Sequence, residues 1–431
     1  MRLSERLVNW LLSGRVTEKR KDYLCWILLF ILSGLTVGLL SLIIALNPKP
    51  MLLIDSVRYY DAAVNILEGN TFSFFPNHPK FAYGLPGYPA FIAFTAVING
   101  SLDPVFTVQI QIWLHAVIII FTFLSARLFC GRLCALLAAV MAATLPSLLF
   151  YDLLFLSETL SIALFSVSLF ILMKAVKSGC LWLFILAGLA FGCLLYIKQV
   201  YQLPVIIVAI ACLFILKKTL LQRLISAFLL VFVMLLAITP WIIRNQQIFG
   251  EFSPGLYYEY GNVLMTANLP VDYYTPIIEN EVKPKVNKLI DEGEYAKAEL
   301  LDNKMQLDIA LNFIFENPWR PIRTVSEKVF LILRPYAGTS LFYLPFPINI
   351  IWCSYYCVLF FGLLISFVLR PNSPFLLINL IFILSMLLFN TTTHTNIRFR
   401  LGYELPMILL SAYGWMRLLH QFREGRQKTA T

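Results

Sequence analysis

Charge is what this chain has least of. Only 13% of its 431 residues are Asp, Glu, Lys or Arg, against about 25% in a soluble domain. That deficit excludes an ordinary water-facing surface. Apolar runs do not alternate with polar residues, which excludes a transmembrane β-barrel. Glycine-rich Gly-x-Gly and Walker phosphate loops are absent, which argues against a nucleotide-driven pump. No internal repeat or low-complexity tract is found. Histidine is scarce, with only His78, His115, His394 and His420. Of these, His78 and His394 alone are expected at the outer face, a thin basis for a metal site. The eight cysteines all fall in or at the ends of apolar runs, so no disulfide framework is expected. The Cys130/Cys134 and Cys353/Cys357 pairs each share a helix face. Without neighbouring histidines they read as small packing residues.

What the chain has in abundance is apolar sequence, 59% of it. Runs of ~20 residues recur, long enough to cross a ~30 Å hydrocarbon core. They predict an all-α polytopic membrane protein of about ten transmembrane helices. The spans are expected near 24–46, 107–129, 133–150, 157–173, 180–197, 200–216, 222–243, 347–369, 374–390 and 402–419. The first is too long for a signal-peptide core, and no small-x-small cleavage site follows it. The net charge of +10 has a topological explanation. Basic residues crowd one set of short connections, including Arg15, Lys19, Arg20, Lys21, Arg127, Arg132, Lys174, Lys177, Lys217, Lys218, Arg223, Arg370, Arg417 and Arg423. The opposite connections hold few. This is the positive-inside bias. It puts both termini in the cytoplasm and leaves no charge excess that calls for a nucleic-acid partner.

The expected organisation is a cytoplasmic segment 1–23, an N-terminal membrane bundle 24–243, an outer subdomain or lid 244–346, C-terminal membrane helices 347–419 and a cytoplasmic tail 420–431. A first outer loop interrupts the bundle at 47–106. It holds a short amphipathic helix over 61–69 stopped by Gly69, an aromatic and proline-rich stretch 70–89, and an apolar segment 88–98. That segment is too short to span and is expected along the interface, where aromatics are favoured. In the second outer segment, 284–316 reads helical until Asn317-Pro318 ends it, and 321–334 is a second amphipathic piece.

Several polar residues stand where apolar helices meet water. Asp55 follows the first span. It reads either as a helix cap or solvated carboxylate, or as a general base for an acceptor hydroxyl or amine. Arg58 lies one helical turn on, and Tyr59 and Tyr60 add phenols at the same depth. Glu158 sits at the outer mouth of the fourth span, where an ionisable side chain is a functional candidate; its alternative is a helix N-terminal acid favoured by the dipole. Asp152 is expected nearer water and without a role. Lys198, in an apolar hairpin, either snorkels or meets a phosphate. Arg398 and Arg400, at the outer start of the last span, break the positive-inside trend, and an anionic ligand would give them a use.

In order along the chain, these residues resemble the GT-C glycosyltransferases, integral-membrane enzymes that use polyprenyl-phosphate sugars. The likeness is to the protein O-mannosyltransferase, aminoarabinose-transferase and RgtA-type group. It rests on Asp55, Arg58 and Tyr59, on Gly69, on the Pro-Gly-Tyr-Pro element at 86–89, on Glu158, on Lys198, on Thr239-Pro240-Trp241 with Arg244-Asn245, and on Arg398. Ser56 departs from it, standing where relatives commonly carry a second acid. The resemblance implies a lipid-linked sugar donor and an acceptor that is a glycolipid, another glycan such as lipopolysaccharide, or a protein. It implies Asp55 and Glu158 as catalytic acids, Arg58, Lys198 and Arg398 as donor-phosphate ligands, and Tyr59, Tyr83, Tyr88 and Arg244 as substrate contacts. It leaves a divalent metal open and firmly implies no cofactor. With no endoplasmic-reticulum retrieval signal evident, a bacterial inner membrane with the site on its outer face is expected. The competing expectation is a transporter or flippase of lipid-linked glycans, which would place ionisable residues near the bilayer midplane and use internal repeats.

Overall fold

The computed structural model describes residues 18–48, 53–70, 72–75, 79–251, 259–335, 338–339, 342–343, 346–370, 373–393, 395 and 397–429. His78 and His394 lie outside these residues. The apolar runs form helices close to where they are expected. Six are long and apolar enough to cross a membrane by length and composition. They are α1 (Glu18–Leu46), α4 (Pro104–Phe129), α7 (Glu158–Ser178), α10 (Leu220–Phe249), α16 (Phe346–Leu369) and α17 (Ser373–Thr392). Shorter apolar helices accompany them: α3 (Gly87–Asn99), α5 (Arg132–Ala143), α8 (Leu181–Leu195) and α9 (Gln202–Ile215). The last helix, α18, runs Leu401–Thr429. Helices α1 and α10 leave Phe30, Leu35, Leu224, Phe228 and Leu236 exposed, which only an apolar solvent tolerates. The chain is an integral multi-pass membrane protein.

The remaining helices stand between the apolar ones. They are α2 (Ile54–Leu67), α6 (Pro146–Tyr151), α11 (Tyr260–Asn268), α12 (Val271–Ile277), α13 (Lys283–Asp291), α14 (Tyr295–Glu316) and α15 (Trp319–Leu333). A two-residue antiparallel pairing joins Gly338–Thr339 to Phe342–Tyr343. Helices α1, α10 and α18 run six or more residues beyond their expected spans, and three further differences have a local reason. The run 133–150 is two helices, because Pro146 opens α6 and holds Leu145 extended. The stretch 284–316 is also two, parted at Gly293, whose φ of 77° a side chain would resist. Helix α2 begins seven residues before 61, so Asp55 lies in its first turn.

The bundle packs around α7, the most enclosed of the six long helices. Its core draws Phe165, Leu169 and Leu172 of α7 together with Phe191 of α8, Val208 of α9 and Phe382 of α17. Two seams bring backbones into direct approach. A Cβ on Gly188 of α8 would stand 2.7 Å from the Leu230 carbonyl oxygen of α10, and one on Gly414 of α18 would stand 2.1 Å from the Gly362 carbonyl oxygen of α16. Small residues at such crossings are how membrane helices gain packing without a hydrophobic drive between them. Replacing Gly414 with Leu should cost about 1–3 kcal/mol through overpacking. A detergent thermal melt should show a midpoint several degrees lower, and an unchanged midpoint would refute the tight seam.

Candidate active site

Four separated segments bring their charged residues to one end of the bundle. Asp55 and Arg58 come from the first turns of α2, Glu158 from the first turn of α7, and Lys198 from the turn after α8. Arg398 comes from the 3-10 turn Ile397–Arg400 that leads into α18. Arg398 is the hub: its Nε donates to Glu158 Oε1 at 2.5 Å and its Nη1 to Asp55 Oδ2 at 2.6 Å. Lys198 Nζ reaches the same Glu158 oxygen at 2.9 Å. Arg58 stands 3.5 Å from Asp55 Oδ1 and also donates to the Tyr83 hydroxyl. The Asp55 side chain is 38% exposed and that of Glu158 only 3%. The first is open to a substrate; the second is set to hold cations. Glu158 Oε2 is buried and has no hydrogen-bond partner.

The Pro-Gly-Tyr-Pro element builds the frame. The Gly87 N–H donates to the Tyr196 carbonyl at 2.8 Å, two residues before Lys198. A Cβ on Gly87 would stand 2.7 Å from that oxygen and 2.7 Å from Ile197, so glycine permits the contact. Tyr88 is buried, donates to Gln111 at 3.0 Å and meets the Tyr59 ring edge-on at 5.0 Å. The Tyr59 hydroxyl lies 3.5 Å from the Ser157 hydroxyl, beside Glu158. Gly84 leaves room for the Phe74 ring, which a Cβ would approach to 2.7 Å. Asp55, Arg58, Tyr59, Tyr83, Tyr88, Glu158, Lys198 and Arg398 therefore share one neighbourhood.

Arg244 is engaged elsewhere. It donates to the Phe72 carbonyl at 2.6 Å and the Phe81 carbonyl at 2.7 Å, and stacks on Trp241 at 4.5 Å. It ties the aromatic loop to α10. Ser56 is buried and its hydroxyl accepts from the Leu53 N–H at 3.0 Å. It closes the start of α2 rather than facing Asp55's partners. Two expectations are corrected. Asp152 is fully buried, paired with His115 and accepting from the Thr159 hydroxyl at 2.7 Å. A buried carboxylate needs such partners, and the histidine 37 residues earlier gave no local cue. Arg400 is also fully buried. It pairs with Glu404 at 2.6 Å and donates to the carbonyls of Ile332 and Arg334, so no external anion is needed to explain it.

Sequence reasoning missed the acids of the segment between α10 and α16. Glu299 of α14 accepts from the backbone N–H groups of Phe81 and Ala82 at 2.7 and 3.0 Å, gripping the loop just before Tyr83. Burial raises its pKa, and those two hydrogen bonds oppose the rise. Glu259 is pushed up to about 8, chiefly by burial, with Lys80 and Arg58 opposing and Glu299 and Asp302 adding to the rise. These acids and Arg58 and Tyr83 border a cavity of about 260 Å³. The polar spacing along α14 was visible, but it reads equally well as a solvated helix face.

Three cations and two carboxylates leave the Asp55 cluster with one net positive charge. It can hold a phosphate with Lys198 and the Arg side chains, and Asp55 can take a proton. A divalent metal does not fit well. Asp55 and Glu158 are each committed to cations, and no three His, Cys, Asp or Glu side chains converge as a ligand set among the described residues.

Replacing Glu158 with Leu should cost about 3–5 kcal/mol, because Lys198 loses its carboxylate and Arg398 is left with Asp55 alone of its two. A thermal midpoint matching the wild type would contradict this. Glu259 gives a pH signature. Between its ordinary value of 4.5 and about 8, the folded state holds a proton that the unfolded state has lost. Stability should therefore fall as pH rises across that window and level off above it. Glu259→Gln, which cannot ionise, should flatten the slope; thermal melts from pH 4.5 to 9 on both proteins check this.

No family model matches the chain, and no curated protein matches it. Solved structures do. The archaeal oligosaccharyltransferase AglB from Archaeoglobus fulgidus, in complex with an inhibitory peptide and a dolichol-phosphate, superposes with a TM-score of 0.60 at 14% identity over 95% of this chain and 52% of that one. Its apo form gives the same values. ArnT from Cupriavidus metallidurans bound to undecaprenyl phosphate matches with a TM-score of 0.44 at 12% identity, over 92% of this chain and 78% of that one. The chain spans about half the length of AglB. At such identities the likeness is one of architecture, and the chain shares the membrane fold of the AglB structure.

Proposed function

We propose that this protein is an inverting glycosyltransferase, moving a sugar from a polyprenyl-phosphate donor to an acceptor at the outer face of a bacterial inner membrane. The observation that carries the reading is the convergence of Asp55, Glu158, Lys198 and Arg398 from four segments at one end of the bundle. The fold supports it, although fold alone does not determine chemistry. Solved neighbours of that fold are named as an oligosaccharyltransferase with a dolichol-phosphate and as ArnT with undecaprenyl phosphate.

The donor enters from the lipid with its phosphate directed to Lys198 and Arg398. Glu158 holds those two cations in place, so they meet the phosphate without large reorganisation. Asp55 removes the proton from the acceptor hydroxyl or amine. The acceptor atom attacks the anomeric carbon in line, the bond from that carbon to the phosphate oxygen breaks, and the electron pair leaves on the lipid phosphate. That leaving group is stable enough to depart without an acid. Arg58 assists the charge balance, while Tyr59, Tyr83 and Tyr88 shape the walls. No step requires a metal.

Purified protein in lipid nanodiscs with a polyprenyl-phosphate sugar and an envelope-glycan acceptor tests the reading. Release of polyprenyl phosphate is expected. Asp55→Asn should lower turnover about 10²–10⁴-fold, the range for loss of a general base. Wild-type turnover by Asp55→Asn would sink the base assignment. A donor that stays intact but crosses the bilayer would favour transport instead.

A further inference from the structure

The cavity of about 260 Å³ beside the Asp55 cluster has a lining that the chemistry above does not use. It shares Arg58 and Tyr83 with the cluster, and Arg58 hydrogen-bonds both Asp55 and Tyr83. Its far wall is the polar face of α14. Glu259, pushed up to about 8 chiefly by burial, is uncharged at neutral pH, and the other charges there are already answered. Lys80 lies 3.7 Å from Asp302, the Glu299 carboxylate holds two backbone N–H groups, and Asp302 Oδ1 accepts from Gln306 at 2.5 Å. An anionic ligand would meet Glu299 and Asp302, and a cationic one would meet Arg58 and Lys80. Neither charge is favoured.

One group is left unanswered. Gln306 is only 8% exposed, and its Oε1 has no hydrogen-bond partner among the described residues. Leaving a buried amide oxygen unpaired costs about 1–3 kcal/mol, and Gln306 lines this cavity. Two aromatic rings line it as well. Phe75 and Tyr83 meet at 5.4 Å, and Phe75 holds a φ of 68°. A bulky residue adopts that region only where its surroundings enforce it, as happens at ligand sites. Arg58 lies over both rings, 5.5 Å from the Phe75 centroid and 4.9 Å from that of Tyr83, and Lys80 lies 5.2 Å from the Tyr83 centroid, so the rings bound the space while amides and carboxylates take the hydroxyls of a sugar. The volume is below the ~300 Å³ at which pockets for drug-sized ligands begin, so it suits a single ring.

We propose that this cavity is the acceptor subsite and that its occupant is an uncharged, hydroxyl-rich saccharide, with one hydroxyl turned past Arg58 toward Asp55. The proposal rests on the transferase reading and narrows its acceptor to carbohydrate rather than protein. A serine or threonine side chain brings one hydroxyl, which if turned to Asp55 would leave Gln306 Oε1 unpaired and most of the cavity unfilled.

The test separates binding from transfer. Full-length protein in nanodiscs is titrated with neutral methyl glycosides, and separately with a serine- and threonine-bearing peptide, by saturation-transfer NMR. Donor cleavage is followed in parallel. At least one glycoside should bind. Gln306→Leu and Asp302→Asn should each weaken it about tenfold, the equivalent of one hydrogen bond of ~1.4 kcal/mol. Each variant should raise the acceptor KM more than it lowers kcat. Asp55→Asn should keep glycoside binding while losing transfer. Absence of glycoside binding, indifference of that binding to both variants at unaltered thermal midpoints, or binding of the peptide alone would each overturn the proposal. Glycoside binding that responds to both variants, with the polyprenyl-phosphate donor never cleaved, would overturn the transferase reading and leave the saccharide site standing.

Discussion

The site depends on one shared carboxylate oxygen. Glu158 Oε1 takes both Arg398 and Lys198, and Arg398 carries the link on to Asp55. These groups start from the first helix after α1, the central helix of the bundle, a hairpin turn and the approach to the last helix. A lone carboxylate as enclosed as Glu158 would be costly to bury. Surrounded by two cations it becomes the point that fixes the relative position of four segments. The bundle's burial of α7 and the charge at its first turn are thus one arrangement: packing decides where Glu158 is, and Glu158 decides where the cations are.

Much of this was legible in the chain, because charge is rare in it. When few residues are ionisable, those at the ends of apolar runs stand out, and Asp55, Glu158, Lys198 and Arg398 were each visible alone. The motif around Gly87 was also visible, although its purpose, a backbone contact to Tyr196, was not. What stayed hidden were pairings across the fold. Asp152 looked solvent-facing until α4 supplied His115. Arg400 looked identical in kind to Arg398, two residues away. A 3-10 turn separates their fates, sending one to the cluster and the other into the core beside Glu404 and Tyr356. Periodicity cannot tell those apart, because the distinction lies in which neighbours the fold brings from elsewhere, Glu158 and Asp55 for Arg398 and Tyr356, Ile332 and Arg334 for Arg400.

The segment between α10 and α16 shows a different limit. Its helices are amphipathic and charged, which is the pattern of a surface. Glu299 uses that charge inward, on the backbone of the aromatic loop, and Arg244 braces the same loop from α10. The loop carrying Tyr83 is therefore gripped on two sides by side chains that bond to its main chain. Such bonds specify position rather than sequence. They explain why a stretch with so little regular secondary structure can hold Tyr83 against Arg58.

The contact between Gly87 and Tyr196 has a consequence for how this site can vary. Main-chain atoms, not side chains, set the gap between the loop that ends in Tyr88 and the turn that carries Lys198. A ruler made of backbone does not change length when its side chains are exchanged. Residues around this seam can therefore be exchanged while the spacing between the Tyr88 loop and the Lys198 turn stays the same. The glycine has no such latitude: any side chain there would push loop and hairpin apart.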